Sequence, residues 1–385
     1  MYRKTYVLIN CDTLKANIKE ITSKYDYKYY IGVVKANAYG HGDYIVNSLI
    51  EGGVNYLAAS SLEECLSIRS RNKDIPILCL EPINLEYLDI CEKENITITL
   101  ADYKYFEDMD KHLKLKVHLK IDSGMNRLGF KDKEEVKKVY DEINVSDSLY
   151  LEGIYTHFAT SGIWDEYWDK QLSNFKDITS LIKLDTIPIV HTARSLTLVN
   201  HPKLDFVNGV RLGIIMYGFA QSLAEPKGLR LIKRNMFLKN HKISPVNFSN
   251  DLKLKTAFSL RSEIMTIKKV KAYEFVGYGA KYKTDEDILV GIMPIGFADG
   301  LIKQNEGRCV KIGSKYYPII GEIGMDMTAV KIDEDVKLHD EVIIYEDIRK
   351  DAKELGISAY QLFTFVTNRV PRVYIENGKK MEIKY

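Results

Sequence analysis

The chain has 385 residues, of which 45% are hydrophobic and 28% charged; this excludes a fibrous or disordered polypeptide and points to two domains, or to a barrel with an appendage. Its 55 Lys and Arg against 53 Asp and Glu leave a net charge of +2 with no basic block, so no nucleic-acid partner is expected and a small molecule is. Five scattered cysteines (Cys11, Cys65, Cys79, Cys91 and Cys309) form no C-x-x-C pair, and no run has the apolar length of a signal-peptide core or membrane span, so a reduced, cytoplasmic protein without membrane contact is expected.

From about residue 28 to 215, short apolar or β-branched runs alternate with longer segments of helical spacing, the pattern of βα units. Strands are expected at 30–34, 56–59, 75–80, 96–100, 117–121, 151–155 and 187–190, with a weaker one at 206–210. Such a series predicts a (β/α)8 barrel. A Lys- and Asn-rich stretch at 227–251 shows no strong periodicity, and beyond it strand follows strand, at 290–294, 310–312, 317–320, 327–332 and 342–345. Gly313-Ser314 and Asn377-Gly378 each separate two strand-like runs and read as hairpin turns. The fold class is therefore α/β: a barrel over residues 1–239, whose first residues can pack with the second domain, then a mostly β domain over 240–385. No internal repeat is present.

The candidate chemistry falls just after the expected barrel strands, where the active-site loops of such barrels gather. Lys35 ends the apolar run 31–34 and precedes a turn rich in Gly, Asn and Tyr. A lone lysine there is more often solvated surface. Between an apolar strand and such a turn, however, its amine is partly desolvated, which suits imine formation. Taken singly, Arg211 reads equally well as a barrel-rim ion-pair residue, His157 as a hydrogen-bonded core histidine, and Tyr278 as one of 26 tyrosines.

A series of motifs carries a more specific reading. VKANAYGHG (34–42), KIDSGMNRLG (120–129), YTHFA (155–159), RLGI (211–214), GYG (277–279), PIGFADG (294–300), GMD (324–326) and RVPRVY (369–374) run along essentially the whole chain. In this order they resemble the alanine racemases, fold-type III enzymes that use pyridoxal 5′-phosphate (PLP). The resemblance implies a PLP-binding barrel in which Lys35 carries the cofactor as a Schiff base. Tyr39, Tyr360, Ser195 and the amides of Gly213 and Ile214 would hold its phosphate, a task that N–H groups at a helix start perform without a large basic cluster. Locally, Ser195 reads equally as the N-cap of a helix beginning at Leu196. By the same resemblance Arg211 meets the pyridine nitrogen, where PLP enzymes commonly place an acid; a cation disfavours protonation there and implies a weaker electron sink.

Racemisation removes an α-proton from one face and returns one to the other, which two opposed bases accomplish. The resemblance assigns these roles to Lys35, for the D-enantiomer, and Tyr278, for the L-enantiomer, with His157 linking Tyr278 to Arg211. Arg127 and the Met325 amide match groups that position substrate, while the Met325 side chain by itself reads as core filler. Lys120 matches a lysine often carbamylated in the family, a change that would make it an anion able to orient Arg127; it reads equally as a plain strand-end lysine. No metal is expected. Tyr278 and Met325 lie far along the chain from Lys35, and the family completes each site from a second subunit, so a homodimer with shared active sites is implied.

Three positions depart from the family pattern: Arg194 where Asn is usual, Phe297 where Tyr is usual, and Gly324 where Cys is common. The expected activity is interconversion of L- and D-alanine, supplying D-alanine for peptidoglycan. Serine or a broader set of amino acids is an alternative substrate. A PLP-dependent decarboxylase of the same layout would want an acid in place of Arg211, and a non-catalytic PLP-binding protein would have no need of an opposed Tyr278.

Overall fold

The computed structural model describes residues 3–160, 166–219, 228–240 and 252–382. The chain divides into two compact units, one of Met1–Leu14, Asn37–Ile45 and Lys255–Tyr385, the other of Lys15–Ala36 and Val46–Leu254.

In the latter unit the parallel strands Tyr29–Val33, Tyr56–Ala59, Ile77–Cys79, Ile96–Leu100, Leu115–Lys120, Leu149–Tyr155, Ile189–Arg194 and Gly209–Leu212 close into a barrel. The first strand makes the closure, with Ile31 opposite Tyr56 on one side and Arg211 on the other. These strands are short β-branched runs covered on both faces; every residue of Ile96–Leu100 is buried. The helix Lys133–Asn144 shows how the outer layer is specified. Asp132 accepts the N–H groups of Glu134 and Glu135 at its start, and Val136, Val139 and Ile143 form its buried stripe. The expected strand at 206–210 begins instead at Gly209, because the preceding residues turn, with Val207 N–H donating to the Leu204 carbonyl at 3.0 Å. Within the stretch 227–251 lies a helix, Leu229–Asn240; residues 227 and 241–251 lie outside the described residues.

The other unit is built on a sheet whose spatial order is Thr266–Val270, Ile288–Met293, Thr328–Ile332, Lys315–Ile320, Cys309–Ile312, Glu341–Tyr345, Phe258–Glu263, Tyr6–Asn10, Arg372–Glu376 and Lys379–Glu382. Each strand expected after residue 290 is present. The strand Tyr6–Asn10 lies inside the sheet, antiparallel to Phe258–Glu263 and parallel to Arg372–Glu376, with Val7 opposite both Leu260 and Arg372. At the Asn377-Gly378 turn φ is 51° and 71°, the two positive values that a type I′ hairpin requires, and Glu376 pairs with Lys379 across it.

Ile9 is fully buried in this internal strand. Ile9→Ala is expected to lower the unfolding free energy by about 2–5 kcal/mol through lost burial and a residual cavity. Urea unfolding followed by circular dichroism checks this, and a midpoint indistinguishable from wild type contradicts it.

Candidate active site

The chain leaves the first barrel strand and at Lys35, which is half-buried, enters a left-handed turn. The φ values are 52° at Ala36 and Asn37, 51° at Ala38 and 53° at Tyr39. For L-residues each such step is disfavoured by about 1–2 kcal/mol, so the turn needs outside restraint. At its start Glu64 supplies this, accepting the Ala36 N–H at 2.6 Å and the Ser60 N–H at 2.9 Å. In the β unit, Arg372 donates to the Gly40 carbonyl and Tyr374 to the His41 carbonyl, each at 3.0 Å. His41 Nδ1 lies 3.0 Å from the carbonyls of Ala38 and Tyr39, and burial pushes its pKa down to about 3, so the ring is neutral. A side chain at Gly40 would place Cβ 2.2 Å from the Phe363 carbonyl oxygen. Strained backbone held by its surroundings in this way is of the kind that clusters at active sites.

Arg211 is 4% exposed on the last barrel strand. Its Nη1 donates to His191 Nδ1 and to the His191 carbonyl, each at 2.8 Å; its Nη2 donates to the carbonyls of Thr156 at 2.7 Å and Thr192 at 3.2 Å. His157 Nδ1 lies 3.4 Å from the same Nη2. No carboxylate bonds to this guanidinium among the described residues, which overturns the rim ion-pair alternative. Burial, with Arg194 and Arg127 nearby, lowers its pKa to about 10, leaving it charged at neutral pH. Burial and Arg211 together push His157 down to about 2, so His157 is neutral.

Ser195 is the first residue of the helix Ser195–Asn200 rather than its cap, a place taken by Arg194. Its hydroxyl turns instead to the neighbouring strand end, accepting the Gly213 N–H at 2.9 Å. Ser195, Gly213 and Ile214 are thus brought together at the ends of adjacent strands, Ile214 opening the short 3-10 helix Ile214–Tyr217. Arg127 is exposed, on a loop shaped by Asp122, whose Oδ1 accepts the N–H groups of Gly124 at 3.0 Å and Asn126 at 2.9 Å. Lys120 is 7% exposed, with Nζ 5.3 Å from the centroid of the Tyr155 ring. Burial, then Arg127, Arg211 and Lys35, lower its pKa to about 8.

The remaining site residues lie in the β unit. Tyr39 is buried, its ring centroid 5.8 Å from that of Tyr360. Tyr278 sits between Gly277 and Gly279, at φ 80° and 67°, and is 72% exposed. The peptide carrying Met325 is anchored by Phe297 N–H to the Gly324 carbonyl at 2.9 Å and Ala298 N–H to the Met325 carbonyl at 3.1 Å. Met325 is 55% exposed, so it is no core filler. Glu64, Tyr155 and His191 are the supporting residues that sequence reasoning missed. Each acts through a fold contact, and only the position of Tyr155, at the end of a barrel strand and the head of the motif YTHFA, could have hinted at it.

The sequence matches the family model "Alanine racemase, N-terminal domain" over residues 9–221 and "Alanine racemase, C-terminal domain" over residues 257–374. An alanine racemase of Anoxybacillus flavithermus is 32% identical, the alignment covering 100% of this chain and 98% of that protein. One from Listeria innocua is 34% identical, covering 97% and 98%. The solved structure of an alanine racemase from Clostridium difficile 630 superposes with a TM-score of 0.86 at 32% identity, covering 100% of this chain and 99% of that one.

A lysine in an unfolded chain titrates near 10.4, so a native value of about 8 for Lys120 means that the folded state binds fewer protons between the two. The burial penalty is then fully present below about pH 8 and fades as pH rises toward 10. In carbonate-free buffer, the unfolding free energy of wild type minus that of Lys120→Met is expected to increase across this window. A difference independent of pH between 8 and 10 would contradict the depressed value.

Proposed function

The chain belongs to the alanine racemase family, and on that premise we propose that it interconverts L-alanine and D-alanine with PLP, supplying D-alanine for peptidoglycan. The observation that carries this reading is Arg211, a buried cation without a carboxylate partner among the described residues. A decarboxylase of the same layout would want an acid there.

The residues present fit PLP. Both Nη atoms of Arg211 are committed to protein acceptors while its Nε–H has none among the described residues; this leaves one donor for a pyridine nitrogen. Ser195 and Gly213 converge at strand and helix ends suited to a phosphate. When bound, PLP supplies an electron sink that acidifies the α-proton of an amino acid. Lys35 holds the cofactor through its amine and moves the α-proton on one face; the Tyr278 hydroxyl moves it on the other. Arg211, by its charge, keeps the pyridine nitrogen unprotonated. Because a guanidinium can only donate, the His157 Nδ1 that faces it accepts, and the neutral ring carries its proton on Nε2. That Nε2–H is a donor able to stabilise a phenolate, which makes a tyrosine a better base. Arg127 and the Met325 amide bind the substrate carboxylate. Lys120, with its pKa lowered to about 8, has enough neutral amine to take up carbon dioxide as a carbamate.

The exposure of Tyr278 and Met325 supports a homodimer in which each site is completed by the β unit of a second subunit. Among the described residues no helix is long and apolar enough to cross a membrane, and a cytoplasmic enzyme is part of the same proposal.

Purified protein with PLP is expected to form D-alanine from L-alanine without releasing carbon dioxide. Absence of any D-product from L-alanine or L-serine defeats the reading, and released carbon dioxide favours a decarboxylase. Tyr278→Phe is expected to lower turnover by about 10²-fold or more, the usual contribution of a positioned acid/base group. Mixing inactive Lys35→Ala and Tyr278→Phe proteins tests site sharing. Random exchange of subunits gives one intact site in each heterodimer, hence about a quarter of wild-type activity; no recovery after verified exchange excludes shared sites.

A further inference from the structure

Behind Arg211, a line of polar groups inside the barrel has no part in the chemistry above. Arg211 Nη1 donates to His191 Nδ1 at 2.8 Å, His191 Nε2 lies 2.9 Å from His118 Nδ1, and His118 Nε2 lies 3.4 Å from Glu152 Oε2. The same carboxylate oxygen accepts Tyr56 Oη–H at 2.6 Å and Thr97 Oγ1–H at 2.9 Å, while Lys116 Nζ stands 3.9 Å from Oε1. Both histidines are fully buried. The barrel makes room for them: a Cβ at position 153 would fall 2.4 Å from His118 Cε1, so Gly153 leaves the space that the imidazole fills. Tyr155 stacks on His191 with centroids 4.7 Å apart and planes 16° from parallel.

The direction of this chain is forced. A guanidinium has donors only, so His191 Nδ1 accepts and the proton of the neutral ring is on Nε2. That proton points to His118 Nδ1, which must accept in turn, leaving the second proton on His118 Nε2, toward Glu152. No closer partner for His118 Nε2 is present among the described residues.

We propose that Glu152 is a positioning residue for Arg211. Its carboxylate anchors the far end of a one-way relay through His118 and His191 that keeps His191 Nδ1 an acceptor facing the guanidinium. The proposal rests on Arg211 being the group at the pyridine nitrogen. Burial pushes both imidazoles below the ordinary histidine range, Arg211 adding to the effect at each, so both are neutral and each ring has one donor and one acceptor. Burial opposes ionisation of Glu152, yet the hydrogen bonds from His118, Tyr56 and Thr97 hold its carboxyl below the ordinary carboxylate range. Without that acceptor, a proton on His118 Nε2 has nowhere to point. Moving it to Nδ1 sets it against the His191 Nε2–H, and moving the latter to Nδ1 sets donor against donor at Arg211.

Solid-state ¹⁵N spectra of the histidine-labelled holoenzyme read this directly, with signals assigned by difference against His118→Asn. Both His118 and His191 are expected to be neutral and protonated on Nε2; a proton on His191 Nδ1 in the wild type overturns the relay. Glu152→Leu is expected to shift His191 partly to the Nδ1–H form and lower kcat by about tenfold or more, as loss of an outer partner of a site residue commonly does, with KM little changed. Its cofactor absorbance is expected to titrate at a displaced pH. Glu152→Gln keeps an acceptor oxygen and is expected to retain both tautomers and most of kcat. Folded Glu152→Leu with wild-type tautomers, or Glu152→Gln that loses them, overturns the proposal. Should Glu152→Leu not fold, the wild-type and Glu152→Gln spectra still decide it. The tautomer readout does not depend on turnover, so a failed racemase assay and a failed relay are separate results.

Discussion

A buried guanidinium to which no carboxylate bonds among the described residues is the constraint around which the polar interior of the barrel is arranged. Burying an unpaired charge is costly unless hydrogen bonds replace its hydration. Arg211 obtains these from the carbonyls of Thr156, His191 and Thr192 and from neutral ring nitrogens of His191 and His157. Every acceptor is uncharged, so the positive charge survives undiminished where a pyridine nitrogen would meet it. The same donors determine which nitrogen of each histidine carries a proton. One arginine thereby sets the hydrogen-bond direction at two neighbours, His157 on one side and His191 inside the barrel.

The second constraint is conformational. Lys35 begins a turn of four residues in the left-handed region, a conformation that L-residues adopt in succession only when their surroundings compel it. The restraints are polar and specific: the Glu64 carboxylate on the Ala36 amide, and Arg372, Tyr374 and His41 on the carbonyls that follow. A lysine at the head of such a turn has a fixed backbone, which is the positioning that the role proposed for its amine requires.

The three departures from the family pattern occupy different settings. Arg194 stands opposite Arg211 in the pairing of adjacent barrel strands, adding a cation beside one already buried and helping to depress its pKa. Phe297 is 43% exposed at the head of the 3-10 turn whose amides hold the Gly324 and Met325 carbonyls, a backbone task indifferent to a lost hydroxyl. Gly324 leaves space beneath Tyr278, since a Cβ there would lie 3.5 Å from Tyr278 Cε2. The packing under the proposed base is therefore looser than a larger residue would allow.

Alternating apolar runs and turn residues determined the barrel strands, the later strands of the β unit and the Asn377-Gly378 hairpin, because each of these is written in local periodicity and local dihedral preference. The ordered motifs likewise brought Lys35, His157 and Arg211 into view. Three strands of the ten-stranded sheet were not legible: Tyr6–Asn10, Phe258–Glu263 and Thr266–Val270 take their meaning from sheet neighbours, the first of them lying between partners some 250 and 365 residues away. Only the tertiary structure decided that no carboxylate bonds to Arg211 among the described residues, that Ser195 turns to Gly213 rather than capping its helix, and that His191, His118 and Glu152 stand in line inside the barrel. Those facts depend on which side chains meet across strands, and burial, hydrogen-bond direction and pKa follow from such meetings and not from the order of residues along the chain.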